Sequence, residues 1–441
     1  MAITKLPSNA TLTDVANKTT EIKTSIETSK NRLSTILNTK GVTAANSEKM
    51  SALVEKVNNL SEPPPKIYGI KIDESVADPN SRITYTESSV GITPATSKSL
   101  EGWKNVYPFN KIRLVGFKNG KVTKEINIRD KTRYIDGMVV PQDVDVMVEI
   151  PKVYWTFKNL STNSYEIKMS KLPFDDADCY AHKVNGVGKE HIYIGAYHGI
   201  VSNGKLRSIS NVTPTVSIPL ATARNYAKAN GSGYQLYDWY AHLLLQILYL
   251  FAYKSFHSQA SLGRGYTRLS EVKYSLTGST VKSHTNGELV YGDTENDSEH
   301  VCFLGVEDIY GNYFQFVDGV LFSLDYNLLV GDSRTNYNDK GDGYTKLINF
   351  KYPSGSDGMY ITTGYYDKTV HTSKGGFFPK NMNGGSSSTH FCDYGNSSNS
   401  SIYTVGGYPK SGNNAGMFCI YRVYVENTNG VSDTCGRLMY V

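Results

Sequence analysis

The chain has 441 residues, more than one ordinary domain holds, so about two or three domains are expected. Hydrophobic residues make up 39% of it and charged residues 20%, a composition that excludes a disordered chain. The net charge of +5 is small for this length, and no concentrated basic stripe is visible, which argues against a nucleic-acid-binding protein.

The first predicted element is a long helix near the N-terminus. Its seam positions alternate in steps of three and four residues, as in a coiled coil, and two of the eight are polar. They are Leu12, Val15, Thr19, Ile22, Ile26, Ser29, Leu33 and Ile36. Gly41 is expected to end this helix, and a second amphipathic helix follows Ser47. The pattern favours an oligomeric stalk or attachment segment over residues 1–62, with an intramolecular helical hairpin as the alternative.

A proline-rich spacer at residues 61–65 breaks any helix and marks the clearest domain boundary. Beyond it the pattern becomes alternating, as expected for strands. Asn119-Gly120 lies between two such runs, which predicts a tight hairpin. Apolar residues alternate strictly over residues 143–150, with one face apolar. Residues 66–150 are therefore predicted to form a small β-rich domain, or the opening strands of a larger one.

Past Pro151 a single helical region is predicted, from about Ala221 to Lys254. Within it, residues 239–253 are almost continuously apolar, but 15 residues are too few to span a bilayer, so a buried helix is expected and no membrane insertion. The remainder is predicted as short strands and long loops rich in Gly, Asn, Ser and Tyr. The loop over 381–401 is the longest, and its aromatic and cysteine residues favour an ordered structure.

The five cysteines show no metal-type spacing, and their odd number argues against a complete disulfide framework. The first residues lack the layout of a signal peptide. We therefore expect synthesis in a cytoplasm with reduced thiols. Cys302 and Cys419, flanked by apolar residues, are predicted to be buried as small hydrophobic groups.

Three segments, in the right order, resemble the formylglycine-generating enzymes. In 231–255 the matching residues are Gly233, Tyr234, Leu236 and Trp239, while Gln235, Tyr237 and Asp238 replace the family's basic residue, Pro and Thr. In 305–319 the matching residues are Asp308, Ile309, Gly311 and Asn312, while Phe314, Gln315 and Phe316 stand where Trp, Glu and Trp are usual. The third segment, 436–438, resembles the Gly-Phe-Arg-Leu strand that closes the family's fold.

This resemblance implies a C-type-lectin fold, in the branch that includes the phage major tropism determinant and the targets of diversity-generating retroelements. Residues 67–155 also resemble a module common in tail proteins of phages that infect Gram-positive bacteria. The predicted fold class is α+β, with a helical coiled-coil stalk over 1–62, a β-rich domain over 66–150 and a C-type-lectin-like receptor-binding domain over 151–441. The stalk, the spacer and the resemblance of the C-terminal part together favour a homotrimeric tail protein of the virion, made in the host cytoplasm and acting outside the cell.

The same resemblance implies that the segment between about Gly384 and Cys435 faces the ligand. The predicted receptor-binding residues are Tyr394, Asn396, Asn399, Tyr403, Tyr408, Lys410, Asn413, Asn414 and Tyr421. The chain has 33 tyrosines, and tyrosine with Ser, Gly and Asn is typical of recognition surfaces, although strands use tyrosine as well. The expected partners are a bacterial surface glycan or protein and other tail or baseplate proteins.

Catalysis is the alternative. The family's enzymes bind copper through two cysteines close in sequence near the C-terminus, whereas Cys419 and Cys435 here are separated by fifteen residues. A cell-wall-degrading tail enzyme would need two carboxylates near each other, which the sequence neither supports nor excludes. We expect a protein that is not an enzyme and needs no cofactor. The oxygen-rich loop 336–343 fails the EF-hand pattern, although lectin-type folds can carry a structural Ca²⁺.

Overall fold

The computed structural model describes residues 9–39, 42–58, 66–350, 362–381, 384–398, 400–424 and 429–441. The chain divides into two compact units, Met1–Pro64 and Pro65–Val441, and the division falls in the proline-rich spacer. The secondary structure is mixed α and β and consists mostly of sheet. The α-helices of the described residues are Leu12–Thr39, Met50–Asn58, Leu220–Lys228, Trp239–Tyr253 and Ser258–Ser261.

In the N-terminal unit, the second helix packs against the last turns of the first. Leu37 and Leu53 are fully buried and form a small cluster with Ala44 and the half-buried Leu33. The hairpin alternative therefore describes this end of the unit. Gly41, the expected end of the first helix, lies outside the described residues.

The rest of the predicted seam is exposed to solvent. Leu12 is 90% exposed, and Val15, Ile22 and Ile26 remain between 39% and 47% exposed. Thr and Ser side chains along this helix, such as Thr24, bond back to the carbonyl four residues earlier, which slightly destabilises a helix. Most of the stability of such a helix must come from packing of its apolar face.

Two antiparallel sheets form the first part of the larger unit. The four-stranded sheet has the order Ile83–Glu87, Tyr68–Asp73, Ser164–Ser170, Tyr154–Ser161. The six-stranded sheet has the order Tyr234–Leu236, Leu438–Tyr440, His191–Gly195, Asp145–Pro151, Arg113–Lys118, Lys121–Glu125. Asn119 and Gly120 both have positive φ, 52° and 74°, and form the predicted two-residue hairpin. The strand Asp145–Pro151 is buried along its whole length, and on its second face Asp145 and Glu149 form ion pairs with Arg207 and Arg113.

An eight-stranded sheet forms the second part. Its main path has the order Thr345–Asn349, Asn327–Val330, Phe314–Phe322, Ser401–Gly406, Gly416–Tyr424, Tyr394–Ser397, Thr362–Tyr365, and Thr434–Cys435 pairs in parallel with Phe314–Phe322. Four two-stranded ribbons complete the described strands: Lys183–Val184 with Val187–Gly188, Ile200–Ser202 with Lys205–Arg207, Cys302–Phe303 with Val306–Glu307, and Lys368–Thr369 with Pro379–Asn381.

The domain boundary predicted at residue 150 does not separate two compact units. Strand Tyr68–Asp73 pairs with Ser164–Ser170, and Asp145–Pro151 pairs with His191–Gly195. Two sheets thus contain strands from both sides of residue 150. Residues 66–150 are the opening strands of the larger unit, which was the second of the two expectations for this region.

The helical region predicted over 221–254 is two helices with a short strand between them. Gly231 and Gly233 have positive φ, 123° and 85°, which ends the first helix. The second helix, Trp239–Tyr253, is buried on all sides, as its continuous apolar sequence predicted. The Asp238 carboxylate caps it by accepting from the Ala241 amide at 2.9 Å. Within the described part of the chain, no helix is both long and apolar enough to cross a bilayer.

The three segments that carry the family resemblance meet in the core of the larger unit. The Tyr237 amide donates to the Arg437 carbonyl at 2.9 Å, and the Asp318 amide donates to the Tyr237 carbonyl at 3.0 Å. Arg437 Nε donates to Gln315 Oε1 at 2.7 Å, which joins the last segment to the middle one.

Candidate ligand-binding surface

The predicted receptor-binding residues divide according to their exposure. Tyr403 is fully buried, with its hydroxyl 2.6 Å from Ser397 Oγ, and Asn396 is 8% exposed and accepts from Arg422 Nε at 2.8 Å. A buried side chain cannot contact a receptor, so the prediction was wrong for Tyr403 and Asn396. The error arose because this segment has a composition typical of loops, whereas both residues lie in strands within the eight-stranded sheet. Asn399 lies outside the described residues.

Three of the remaining residues lie at a polar patch around Tyr365 and Arg268. Tyr365 Oη donates to Asn414 Oδ1 at 2.6 Å, and its ring packs edge-on against Tyr394 with centroids 5.6 Å apart. Arg268 donates to the amide oxygen of Asn413. Asn413 and Asn414 are thus partly engaged in holding the loop, which limits what they offer to a ligand. Lys410 is exposed beside this loop.

Tyr421 lines a separate cleft of about 260 Å³, and Tyr408 lies at the edge of this cleft against Phe314. The cleft is lined by the start of strand Phe314–Phe322, by Thr404 of the neighbouring strand, by the end of strand Gly416–Tyr424 and by the segment before Cys435. Its lining consists of Phe314, Thr404, Tyr421, Arg422, Val423, Tyr424, Val431, Asp433 and Thr434, with Tyr408 stacked on Phe314 at its edge. We call it the aromatic cleft.

Phe314 forms the floor of the aromatic cleft. Its ring lies 5.7 Å from that of Tyr408, nearly parallel, and 5.4 Å from that of Tyr421. Tyr421 is 38% exposed, so one face of its ring is open to a ligand. The guanidinium of Arg422 lies 4.1 Å from the ring centre of Tyr424, within the range of a cation–π interaction. These contacts hold several rings in place before any ligand arrives.

A carboxylate, Asp433, lies in the wall of the aromatic cleft. The Phe314 amide donates to the Asp433 carbonyl at 2.9 Å, which fixes the backbone at this point. Burial raises the pKa of the Asp433 carboxyl, and its near hydrogen-bond donor is Thr434 Oγ1 at 3.0 Å. In the part of the chain that the structure describes, no Lys or Arg forms an ion pair with it.

Tyr274 is a further aromatic residue near Asp433. It stacks on Tyr313 with ring centres 4.3 Å apart. Burial, together with the charge of Asp433 and the nearby Tyr408, raises the pKa of the Tyr274 hydroxyl to about 12. The Tyr274 hydroxyl is therefore close enough to the carboxylate to be affected by its charge.

Sequence reasoning missed much of this cleft. Phe314 was noted only as the residue in place of a tryptophan, and Arg422, Tyr424 and Asp433 were not selected. A signal for Arg422 and Tyr424 was available, because the apolar run of strand Gly416–Tyr424 gives way to Tyr-Arg-Val-Tyr, and its burial ends there. No pattern in the neighbouring sequence indicated a role for Asp433.

The other predicted features have structural roles. All five cysteines are free and buried, including Cys302 and Cys419 as predicted. In the loop 336–343, Asn338 Oδ1 accepts from the amides of Lys340 and Asp342, and Asp339 pairs with Arg224 at 2.7 Å. The side-chain oxygens of Asn338 and Asp339 therefore stabilise a turn and form an ion pair. No cluster of three or more His, Cys, Asp or Glu side chains that could hold a metal is found over the described residues.

No family model matches this chain, and no curated protein matches it.

Proposed function

We propose that this chain is a receptor-binding protein of a phage or phage-tail-like particle that binds a bacterial surface glycan in the aromatic cleft. The observation that carries the proposal is the combination of exposed, pre-positioned aromatic rings with the Asp433 carboxylate in one concave surface. Recognition sites typically combine an apolar lining with a few placed polar groups.

The chemistry of the cleft fits a sugar. The C–H face of a pyranose packs on an aromatic ring, and the open face of Tyr421 offers such a surface. A carboxylate accepts two sugar hydroxyl hydrogen bonds, which are stronger than those between neutral groups. Arg422 and Tyr424 also line the cleft and form a cation–π pair. Weak binding at one cleft suffices when several copies bind the same surface.

The larger unit is proposed to have a C-type-lectin-like fold. The support is that the three resembling segments pack together through Tyr237, Gln315 and Arg437, as segments of one fold do. The proposed ligand surface then comes from the last part of the chain, as the resemblance implies.

The N-terminal unit is proposed to be a homotrimeric coiled-coil stalk that attaches to the tail. The support is the exposed apolar seam at Leu12, Val15, Ile22 and Ile26 on a helix whose hairpin partner covers only its last turns. Apolar residues at heptad spacing are stabilised when identical helices pair. Joining three chains would also give one assembly three aromatic clefts.

Binding of full-length protein to envelopes of candidate host bacteria tests the proposal. Tyr421→Ala should lower the affinity about five-fold, because stacking on one exposed ring contributes on the order of 1 kcal/mol. Tyr154→Ala, a half-buried tyrosine on the four-stranded sheet, is the matched control and should bind normally.

Treatment of the envelopes separates the classes of receptor. Periodate, which destroys sugar rings, should abolish binding, whereas protease treatment should leave it. Loss of binding after protease alone would overturn the glycan proposal, as would equal binding by the Tyr421 and Tyr154 variants. Release of soluble sugar from the envelopes would show a hydrolytic enzyme instead.

A further inference from the structure

A lysine amine is buried next to a cysteine thiol in the larger unit, away from the aromatic cleft. The Lys131 side chain is almost fully buried, and its Nζ donates to Thr280 Oγ1 at 3.2 Å and to Cys302 Sγ at 3.5 Å. Lysine is almost never fully buried unless it is paired. No salt bridge to Lys131 is formed within the described residues, so its close partners are a hydroxyl and a thiol.

The negative charge that compensates the Lys131 ammonium is the Glu307 carboxylate, which is connected to it through the Thr280 hydroxyl. Thr280 Oγ1 donates to Glu307 Oε2 at 2.6 Å, and that carboxylate also accepts from the amides of Gly278 and Thr280 at 2.7 Å each. The hydrogen bonds therefore run from Lys131 through Thr280 to Glu307. This path allows the ammonium to pass a proton to the carboxylate without opening the core.

The two reacting groups are held by their backbones. The Lys131 amide donates to the Val281 carbonyl at 3.1 Å, and Cys302 exchanges two backbone hydrogen bonds with Tyr291, at 2.8 and 2.9 Å. The buried Tyr197 hydroxyl has no hydrogen-bond partner in the described structure, although it interacts electrostatically with Cys302 and Glu307. A buried hydroxyl without a hydrogen-bond partner therefore lies near the lysine–cysteine pair.

We propose that Lys131 and Cys302 are the site of an oxidative covalent modification, a bridge in which one oxygen atom joins Nζ to Sγ. Dioxygen is the oxidant. The thiol, the ammonium, the Glu307 carboxylate and O₂ give the Nζ–O–Sγ bridge, a protonated Glu307 and one water. An N–O and an S–O bond form, the O–O bond breaks, and the thiol hydrogen and two amine hydrogens leave, two in water and one on Glu307.

The bridge would give the chain a covalent cross-link, which its free cysteines do not provide as disulfides. Among the described residues no disulfide is present, and the bridge closes a loop between positions 171 residues apart. Cross-links across long loops stabilise mainly by restricting the unfolded chain. A protein made reduced in a cytoplasm would gain this cross-link on reaching air. The inference rests on this cluster alone and not on the glycan proposal.

Intact mass spectrometry of the full-length protein tests it. Protein purified without oxygen should gain about 14 Da in air, one oxygen added and two hydrogens lost, and dithiothreitol should reverse the gain. Peptide mapping should join the peptides that contain Lys131 and Cys302. The bridged form should melt at a higher temperature than the reduced form of the same sample.

Variants separate the bridge from other oxidation. Cys302→Ser and Lys131→Arg should each abolish the gain, whereas Cys435→Ser, which removes another buried cysteine, should keep it. If a variant fails to fold, the peptide map of the wild-type protein decides alone. No gain of mass in the wild-type protein, or oxidation of Cys302 without a link to Lys131, would overturn the proposal.

Discussion

Arg437 Nε donates a hydrogen bond to Gln315 Oε1 at 2.7 Å, although 122 residues separate them in the chain. The guanidinium is fully buried and also donates to the carbonyls of Gly195, at 2.9 Å, and Glu307, at 2.8 Å. One side chain, just before the closing strand Leu438–Tyr440, thus connects three other strands, Phe314–Phe322, His191–Gly195 and Val306–Glu307. Such a buried cation is stabilised only while all its acceptors remain in place.

Replacement of Arg437 by Met should therefore destabilise the larger unit strongly. The substitution leaves a glutamine oxygen and several carbonyls without donors in the core, and each unsatisfied group costs about 1–3 kcal/mol. We expect the free energy of unfolding, measured by urea denaturation, to fall by about 3 kcal/mol or more. Lys410→Met, at an exposed position, should change it by less than about 0.5 kcal/mol. Equal stabilities of the two variants would disprove the role of Arg437.

Local features of the fold were predictable from the sequence. Asn119-Gly120 predicted its hairpin because both residues tolerate the positive φ that the turn requires. The continuous apolar run 239–253 predicted a buried helix because every face of that helix needs an apolar neighbour. These predictions depend on a few adjacent residues and hold whatever the rest of the chain does.

Features that depend on distant pairing were not predictable. The division at residue 150 failed because strand partners such as Tyr68–Asp73 and Ser164–Ser170 leave no trace of each other in the sequence. Tyr403 looked like a ligand residue because composition does not tell a central strand from a loop. Asp433 reaches the cleft only because its segment pairs with Phe314, far earlier in the chain.

The ion pair between His300 and Asp308 predicts how stability varies with pH. Burial by itself lowers the pKa of His300, but Asp308, with Oδ1 at 2.9 Å, opposes it more strongly and brings the pKa to about 8. A histidine whose pKa is raised in the folded state stabilises the fold below its unfolded pKa, near 6.5, and loses that contribution as the pH rises through 8. The free energy of unfolding should therefore fall by about 2 kcal/mol between pH 6 and pH 9.

Chemical denaturation across this pH range measures the effect. His300→Gln keeps a polar side chain but does not titrate, so its stability should vary less over the same interval. His191→Gln is the control, since that histidine is exposed and forms no ion pair within the described structure. A His300 variant with the pH profile of the wild-type protein would contradict the prediction.

The exposed seam of the first helix predicts how the proposed trimer responds to added charge. Ile22→Asp with Ile26→Asp should convert a trimer into a monomer, because aspartates at core positions of a coiled coil would be buried next to each other. Thr24→Asp with Thr28→Asp adds the same charge to the opposite face of the helix and should leave the trimer intact. Light scattering of the full-length proteins gives the masses. A monomeric wild-type protein would rule out the stalk.

The Asp433→Asn substitution is expected to weaken binding but to leave the stability of the fold unchanged or higher. A carboxylate that accepts sugar hydroxyl bonds contributes about 1.5–3 kcal/mol, so its loss should weaken glycan binding about ten-fold or more. Burial raises the pKa of Asp433, which means that the fold disfavours its charged form. Stability should then decrease as the pH rises from the unfolded pKa of this carboxyl through its raised pKa, and removal of the charge should leave stability unchanged or higher at neutral pH.

Binding by the wild-type protein should weaken as the pH falls through that same raised pKa, whereas the Asp433→Asn variant, whose amide does not titrate, should bind with an affinity insensitive to pH over this range. Asp143→Asn, at an exposed aspartate paired with Lys118 on the six-stranded sheet, is the control and should bind normally. A structural role alone would lower the melting temperature of Asp433→Asn together with its affinity. Unchanged affinity would instead remove Asp433 from the binding surface and leave the aromatic rings to account for recognition.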